Sequence, residues 1–318
     1  MSEYRRLRIG TRGSVLALWQ ANWVKAELLA AHDGLTVDLV AIKTKGDKIV
    51  DVPLARVGGK GLFVKEIEEA LLDGRIDLAV HSVKDMPAEL PPGLHLAATP
   101  TRDDCRDALL CKKGSCLADL PPGAVVGTSS LRRAAQLLHQ RPDFHIQTLR
   151  GNVDTRLRKL ETEGYDAIIL AAAGLHRLGL QRVITEYLGP ETMLPAVGQG
   201  ALGIETRIDD AATNDMVQAL VHQPTMAAVK AERSFLHRLQ GGCQVPIGAL
   251  ALLENGRLAL TGMVADLQGR RLIRRKLQGE VAEAELLGAQ LATEILAGGG
   301  EEILKEIYGQ EQNCSGAN

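Results

Sequence analysis

With 318 residues, 45% of them apolar and 24% charged, the chain can bury more than one hydrophobic core, which excludes wholesale disorder. A formal net charge of −2 and 3% aromatic residues give neither the field nor the stacking surface that nucleic-acid binding needs. Residues 1–10 are polar and basic rather than a secretory leader, and no apolar run reaches about 18 residues. A cytoplasmic protein that spans no membrane is therefore expected.

The first two thirds alternate strand-like and helix-like segments, the pattern of parallel sheets covered by helices. In chain order, the periodicity predicts a strand over 7–11, a helix over 14–31, a strand over 36–44, a helix over 63–72 and a short buried strand over 76–80. A second series then opens: a strand near 124, a helix over 130–140, a strand over 145–149, a helix over 153–163 and a strand over 167–171. The first strand-to-helix turns of the two series echo each other, as Ile9-Gly10-Thr11-Arg12-Gly13-Ser14 and Val126-Gly127-Thr128-Ser129-Ser130. Each turn offers free backbone N–H groups to an anion. After Asp209 the pattern changes to helices over 210–222 and 227–239, then three antiparallel strands over 247–253, 258–264 and 271–277, then two closing helices. Asn255-Gly256 marks a tight hairpin between the first two of these strands. The glycine-rich connections 45–61 and 193–203 read as a lid and a hinge.

The second series carries arginines near strand ends or helix starts: Arg132, Arg133, Arg150, Arg156 and Arg177. Cations in a helix's first turn oppose its dipole, so local stability does not explain Arg132 and Arg133. Arg12 and Lys84 hold matching places in the first series, with Lys60 nearby in sequence. Any one of these could be a surface ion pair; together they point to a ligand with several carboxylates or phosphates. Asp85, in His81-Ser82-Val83-Lys84-Asp85, follows the buried strand and should stand at the mouth of the same cleft. A carboxylate there could stabilise a developing positive charge or exchange protons, or could simply pair with Lys84.

Five cysteines, at 105, 111, 116, 243 and 314, include no Cys-x-x-Cys pair, which argues against a disulfide framework or a structural zinc site. Eight histidines without clustered ligand spacing give no metal site. Cys243, in Gly241-Gly242-Cys243-Gln244-Val245-Pro246, sits in a shaped loop, either as an attachment point or as a small buried side chain. The other four read as ordinary.

These segments resemble the porphobilinogen deaminase (hydroxymethylbilane synthase) family along nearly the whole chain. The matching stretches are Gly10-Thr11-Arg12-Gly13-Ser14 with Leu16-Ala17-Leu18-Trp19-Gln20, Gly58-Gly59-Lys60-Gly61, His81-Ser82-Val83-Lys84-Asp85 and Gly127-Thr128-Ser129-Ser130-Leu131-Arg132-Arg133. They continue through Leu149-Arg150-Gly151-Asn152-Val153-Asp154-Thr155-Arg156, Gly198-Gln199-Gly200 and Gly242-Cys243-Gln244-Val245-Pro246.

The resemblance implies an α/β protein with two periplasmic-binding-protein-like domains and a small C-terminal α+β domain holding a three-stranded antiparallel sheet. Domain 1 would comprise residues 1–100 and 201–218 with the lid, domain 2 residues 101–200, and domain 3 residues 219–318 with the cofactor cysteine. It also implies a dipyrromethane cofactor bound through a thioether to Cys243. A monomeric transferase would add four porphobilinogen molecules stepwise to that primer and hydrolyse off hydroxymethylbilane.

By the same resemblance, Asp85 is the catalytic residue. Cofactor and substrate would be bound by Arg12, Ser14, Gln20, Lys60, Ser82, Lys84, Thr128, Ser129, Ser130, Arg132, Arg133, Arg150, Arg156, Arg177 and Gln199, of which Arg12, Ser14, Lys84, Thr128, Ser130, Arg132, Arg133, Arg150, Arg156 and Arg177 match positions that bind the acetate and propionate groups. Arg56 stands where the family pattern has lysine. The rival reading is a cytosolic two-lobed binding protein for a polycarboxylate, which would leave Cys243 unexplained.

Overall fold

The computed structural model describes residues 6–45, 64–241 and 245–315, with side chains described as far as residue 309. The lid expected over 45–61 therefore lies, Lys45 apart, outside the described residues. The chain begins β1 (Arg6–Thr11), α1 (Val15–Ala31), β2 (Thr36–Ala41), α2 (Lys65–Leu72), β3 (Leu78–Ser82) and β4 (Leu94–Ala98). It crosses to β5 (Asp107–Cys111), β6 (Val125–Gly127), α3 (Leu131–Gln140), β7 (His145–Gln147), α4 (Val153–Thr162), β8 (Ala167–Ala171), α5 (Ala172–Arg177) and β9 (Glu186–Leu188). It returns as β10 (Leu202–Arg207), α6 (Ala211–Val217) and α7 (Gln223–Arg238), and ends with β11 (Ile247–Glu254), β12 (Arg257–Ala265), β13 (Leu272–Gly279), α8 (Ala284–Ile295) and α9 (Glu301–Ser315).

Among the described residues, the strands form two five-stranded sheets, ordered β2-β1-β3-β10-β4 and β7-β6-β8-β5-β9, and a three-stranded sheet β11-β12-β13. The two larger sheets share one plan. In each, three parallel strands are followed by a strand running against them, β10 beside β3 and β5 beside β8. Each of these odd strands begins just after the chain has crossed from the other sheet, so two crossing segments join the pair. They touch at Gly200, whose φ of +87° and close approach, 2.6 Å from a would-be Cβ to the Asp103 carbonyl oxygen, exclude any other residue without rearrangement. The third sheet is antiparallel throughout, its hairpin closed by Asn255 and Gly256, both at positive φ. The α/β class with a small antiparallel third layer is thus as expected.

Local chemistry explains most boundaries. Ser14 caps α1 by accepting from the Ala17 N–H, and Ser130 caps α3 by accepting from the Arg133 N–H. The buried strand begins two residues later than the periodicity predicts, because Arg75 and Ile76 still donate to the Ala70 carbonyl and close α2. That shift places His81 and Ser82 inside β3 and Asp85 in a single 3-10 turn after it. The helix predicted over 210–222 stops at Val217 and a short 3-10 turn, since His222 already precedes α7, which starts at Gln223 with Pro224 in its first turn. Part of the predicted hinge loop, from Leu202, belongs to β10, which is buried along nearly its whole length and so lacks a polar face to betray its period.

Apolar clusters fill both faces of the two larger sheets. A further core, centred on the fully buried Phe235, joins α7, α8 and α9 to the third sheet. Two small clusters tie the layers together: Ala135 of α3 packs with Leu250 and Met263, and Val83 and Met86 pack with Val229 of α7.

The α2 face of the first sheet also buries Glu68. Burial, reinforced by repulsion from Glu205 and opposed by His81, pushes its carboxyl up to about 7. The folded state therefore holds this proton more tightly than the unfolded chain. The stability so gained is present in full below about pH 4.5 and is lost as pH rises through about 7. Glu68→Gln should remove that loss, worth about 2 to 3 kcal/mol between pH 5 and 8. Urea unfolding of both proteins at the two pH values tests this; parallel pH dependences would refute it.

Candidate active site

Arg132 and Arg133 at the start of α3 act electrostatically on Lys84 in the turn 83–85 that follows β3, and Gln20 of α1 reaches Ser82 at the end of β3, so α1 and α3 border one region where the two larger sheets meet. Four cations and one carboxylate gather there. Asp85 is exposed and Lys84 is half-buried. Burial lowers the Lys84 ammonium to about 8; the Asp85 charge opposes this, Arg133 adds to it, and Asp107 and Arg132 act more weakly. Arg156, half-buried on α4, is pushed down to about 10 by burial, with Arg133 and Arg150 repelling it and Asp85 attracting it. Lys84 and Asp85 of the first sheet thus share one electrostatic environment with Arg133, Arg150 and Arg156 of the second.

Arg150 follows β7, and its Nε is buried with no acceptor among the described residues. Arg156 spends its own Nε on the Gly151 carbonyl at 2.8 Å. An unpaired buried guanidinium donor is costly, and a ligand carboxylate would relieve it.

Arg132 and Arg133 are anchored from below. Both are buried and bind Asp107, the first residue of β5: Arg132 Nη1 donates to Oδ2 at 2.8 Å, and Arg133 donates to Oδ1 through Nε at 3.0 Å and Nη2 at 2.6 Å. Gln199 Nε2 adds a third donor to Asp107 at 2.9 Å. Burial alone would raise this carboxyl, but the two guanidinium charges and their hydrogen bonds overcome it and hold it below the ordinary carboxylate range. Arg132 also donates to the Leu194 carbonyl and Arg133 to the Ile169 carbonyl. Arg177 is held on the crossing segments, donating to the Gly200 carbonyl at 2.6 Å, with Nε 3.6 Å from Asp103; burial lowers it and Asp103 opposes.

The smaller side chains fix the turns. Gln20 donates to Ser82 Oγ at 2.9 Å, linking α1 to the end of β3. Ser129 Oγ donates to the Leu149 carbonyl, and Thr128 Oγ1 accepts from the Ser130 N–H. Arg12 and Ser14 stand half-buried at the β1–α1 turn. Lys60, Arg56 and Cys243 lie outside the described residues. Cys105, Cys111 and Cys116 are unpaired thiols, and burial raises Cys111 to about 11 and Cys105 in the same direction, which makes both poor nucleophiles.

Periodicity did not single out three buried acids. Asp107 grips Arg132 and Arg133. Glu232 of α7 binds Arg102 at 2.6 and 3.1 Å and also accepts from the Gly198 and Ala251 N–H groups. Glu205 of β10 accepts from His81 Nε2 at 3.0 Å. Asp107 stands at the start of the apolar run Ala108-Leu109-Leu110, whereas Glu205, before Thr206-Arg207, and Glu232, between Lys230-Ala231 and Arg233, carry no such signal.

The family profile described as porphobilinogen deaminase, dipyromethane cofactor binding domain, matches residues 7–215, and that of the porphobilinogen deaminase C-terminal domain matches residues 226–297. Porphobilinogen deaminase of Syntrophotalea carbinolica is 59% identical over 301 residues, covering 95% of this chain and 96% of its own. That of Geobacter sulfurreducens is 56% identical over 306 residues, covering 96% of each. A nutrient-binding protein from Burkholderia cenocepacia, solved bound to methionine, superposes with a TM-score of 0.42 at 15% identity, over 67% of this chain and 91% of its own. Two profiles that together span most of the chain, and relatives alike over nearly their full length, show the family: the chain belongs to the porphobilinogen deaminase family.

Proposed function

We propose that the region where the two larger sheets meet is the active site of a hydroxymethylbilane synthase, with Asp85 as its catalytic carboxylate and Cys243 as the cofactor attachment point. The observation that carries this reading is that Lys84, Arg133, Arg150 and Arg156 share one electrostatic environment with Asp85, with Arg150 Nε buried and unpaired among the described residues. Such a surplus of positive charge fits a ligand that brings two carboxylates per pyrrole ring. The residues present therefore suit dipyrromethane, whose domain the family profile names. When bound, that cofactor supplies the primer to which incoming pyrroles are joined.

Within this reading the protein's own groups divide the work. Arg150, Arg156, Lys84 and the outward faces of Arg132, Arg133 and Arg177 bind acetate and propionate carboxylates. Arg12, Ser14, Lys60, Thr128, Ser129 and Ser130 complete these contacts, while Gln20, Ser82 and Gln199 hold the frame. Asp85, exposed beside the cations, stabilises the positive charge that develops as ammonia leaves porphobilinogen, and accepts the proton released on coupling. Residues 1–100 with 201–218 form domain 1, residues 101–200 domain 2 and residues 219–318 domain 3. The crossing segments that meet at Gly200 join the first two. Among the described residues no helix is long and apolar enough to cross a membrane. The reading further takes the enzyme as a cytoplasmic monomer that uses no nucleic acid, on the strength of its balanced charge and few aromatic residues.

The test is conversion of porphobilinogen to hydroxymethylbilane with release of ammonia. The wild-type chain should carry it out, and Cys243→Ala should show no turnover. Normal output from Cys243→Ala would remove the cysteine from the account.

A further inference from the structure

The turn that carries Asp85 is held from behind by a buried polar network. His81 lies on the α2 face of β3, four residues before Asp85, and its Nε2 donates to Oε2 of Glu205, whose side chain is wholly buried on β10. In the β3–β10 register Glu205 stands opposite Ala79, and His81 opposite Gly203, so both side chains emerge on one face, one step apart.

Beyond Asp85, Arg233 reaches in from α7 and donates through Nη2 to the Ala88 carbonyl at 3.1 Å. Among the described residues, Arg233 Nη1 and Glu205 Oε1 are both buried without a hydrogen-bond partner, one a donor and the other an acceptor. The Glu205 charge partly offsets the cost of burying the Arg233 guanidinium. Val83 and Met86 pack on Val229, one turn earlier on the same helix, and the Val83 N–H donates to the Ala201 carbonyl next to β10. After α7 the sequence runs on through Gly241 to Cys243.

We infer that Glu205 is a positioning residue for the reaction: through His81 and Arg233 it fixes the Asp85 turn against α7, the helix that leads to the cofactor cysteine. It touches no substrate. Its effect is to keep the catalytic carboxylate at a constant place relative to the domain that carries the primer, and a small loss of that registration is enough to slow chemistry. The inference rests on the reading of Asp85 and Cys243 given above.

Glu205→Gln keeps the shape and an acceptor for His81 but removes the charge that Arg233 faces. It should lower kcat about tenfold or more while KM for porphobilinogen stays within about twofold and the intact mass keeps the cofactor. Amide hydrogen exchange in the peptide spanning residues 83–88 should speed up about tenfold, with the α1 peptide spanning residues 15–31 unchanged. Arg233→Met, which removes the Ala88 anchor, should produce the same local pattern. Unchanged exchange over residues 83–88, an equal rise across α1, or a loss confined to KM would overturn the inference. Asp85→Asn in the same assay separates the two claims: full activity there would sink the active-site reading, whatever Glu205 does.

Discussion

Asp85→Ala is expected to lower kcat by about 10³-fold while leaving the cofactor in place, because it deletes the carboxylate that faces developing positive charge. Lys84, Arg150 and Arg156 remain in the variant, so carboxylate binding survives and the loss falls on turnover rather than on KM. Removing Asp85 also takes away the charge that attracts Arg156 and opposes the lowering of Lys84, which leaves the region more cationic. Steady-state kinetics with porphobilinogen, together with the intact mass of the variant, check both halves. A variant that keeps most of its kcat would assign the proton and charge chemistry to another group.

Asp107→Ala has the largest expected effect on stability. It strips the shared counter-charge from Arg132 and Arg133, both buried, and leaves Gln199 without one of its acceptors. Breaking a buried ion pair from one side costs about 3–5 kcal/mol, since the stranded charge cannot reach water. Two stranded guanidinium groups place this variant at the upper end of that range. Because the Asp107 carboxyl is held below the ordinary carboxylate range, its contribution is present at neutral pH and is lost only as pH falls through the acid range. Urea unfolding at pH 7 measures the change, and a loss of less than about 1 kcal/mol would show that the cluster is not stabilising.

Much of this arrangement was legible in the amino-acid sequence. Period and punctuation located α1 and α3 through their capping serines, the Asn255-Gly256 hairpin, and the two echoing turns at Gly10 and Gly127. A would-be Cβ at these two glycines falls 2.2 Å from Ile76 and 2.8 Å from Tyr165, so both turns demand the same small residue for packing reasons. Arg132 and Arg133, set against the helix dipole, point to an anionic ligand on sequence grounds alone. Strands β4, β9 and β10 were hidden, because short or doubly buried strands carry no alternating face. The partners of the arginines were hidden too. Asp107 lies 25 residues from Arg132, and Glu232 lies 130 from Arg102, and only the fold brings such distant charges together. As a result Arg132 and Arg133 have a character that sequence alone does not disclose: both are buried and pinned by Asp107, and so are preorganised rather than free.

The central claim is that a thiol-bound oligopyrrole is held between two lobes by guanidinium and ammonium groups. Intact-protein mass spectrometry of the purified chain and of Cys243→Ala tests it most directly. The account predicts that the wild-type chain exceeds its sequence mass by two pyrrole units and that the variant weighs what its sequence dictates. A wild-type chain found at its bare sequence mass, or an excess that persists in Cys243→Ala, would contradict it.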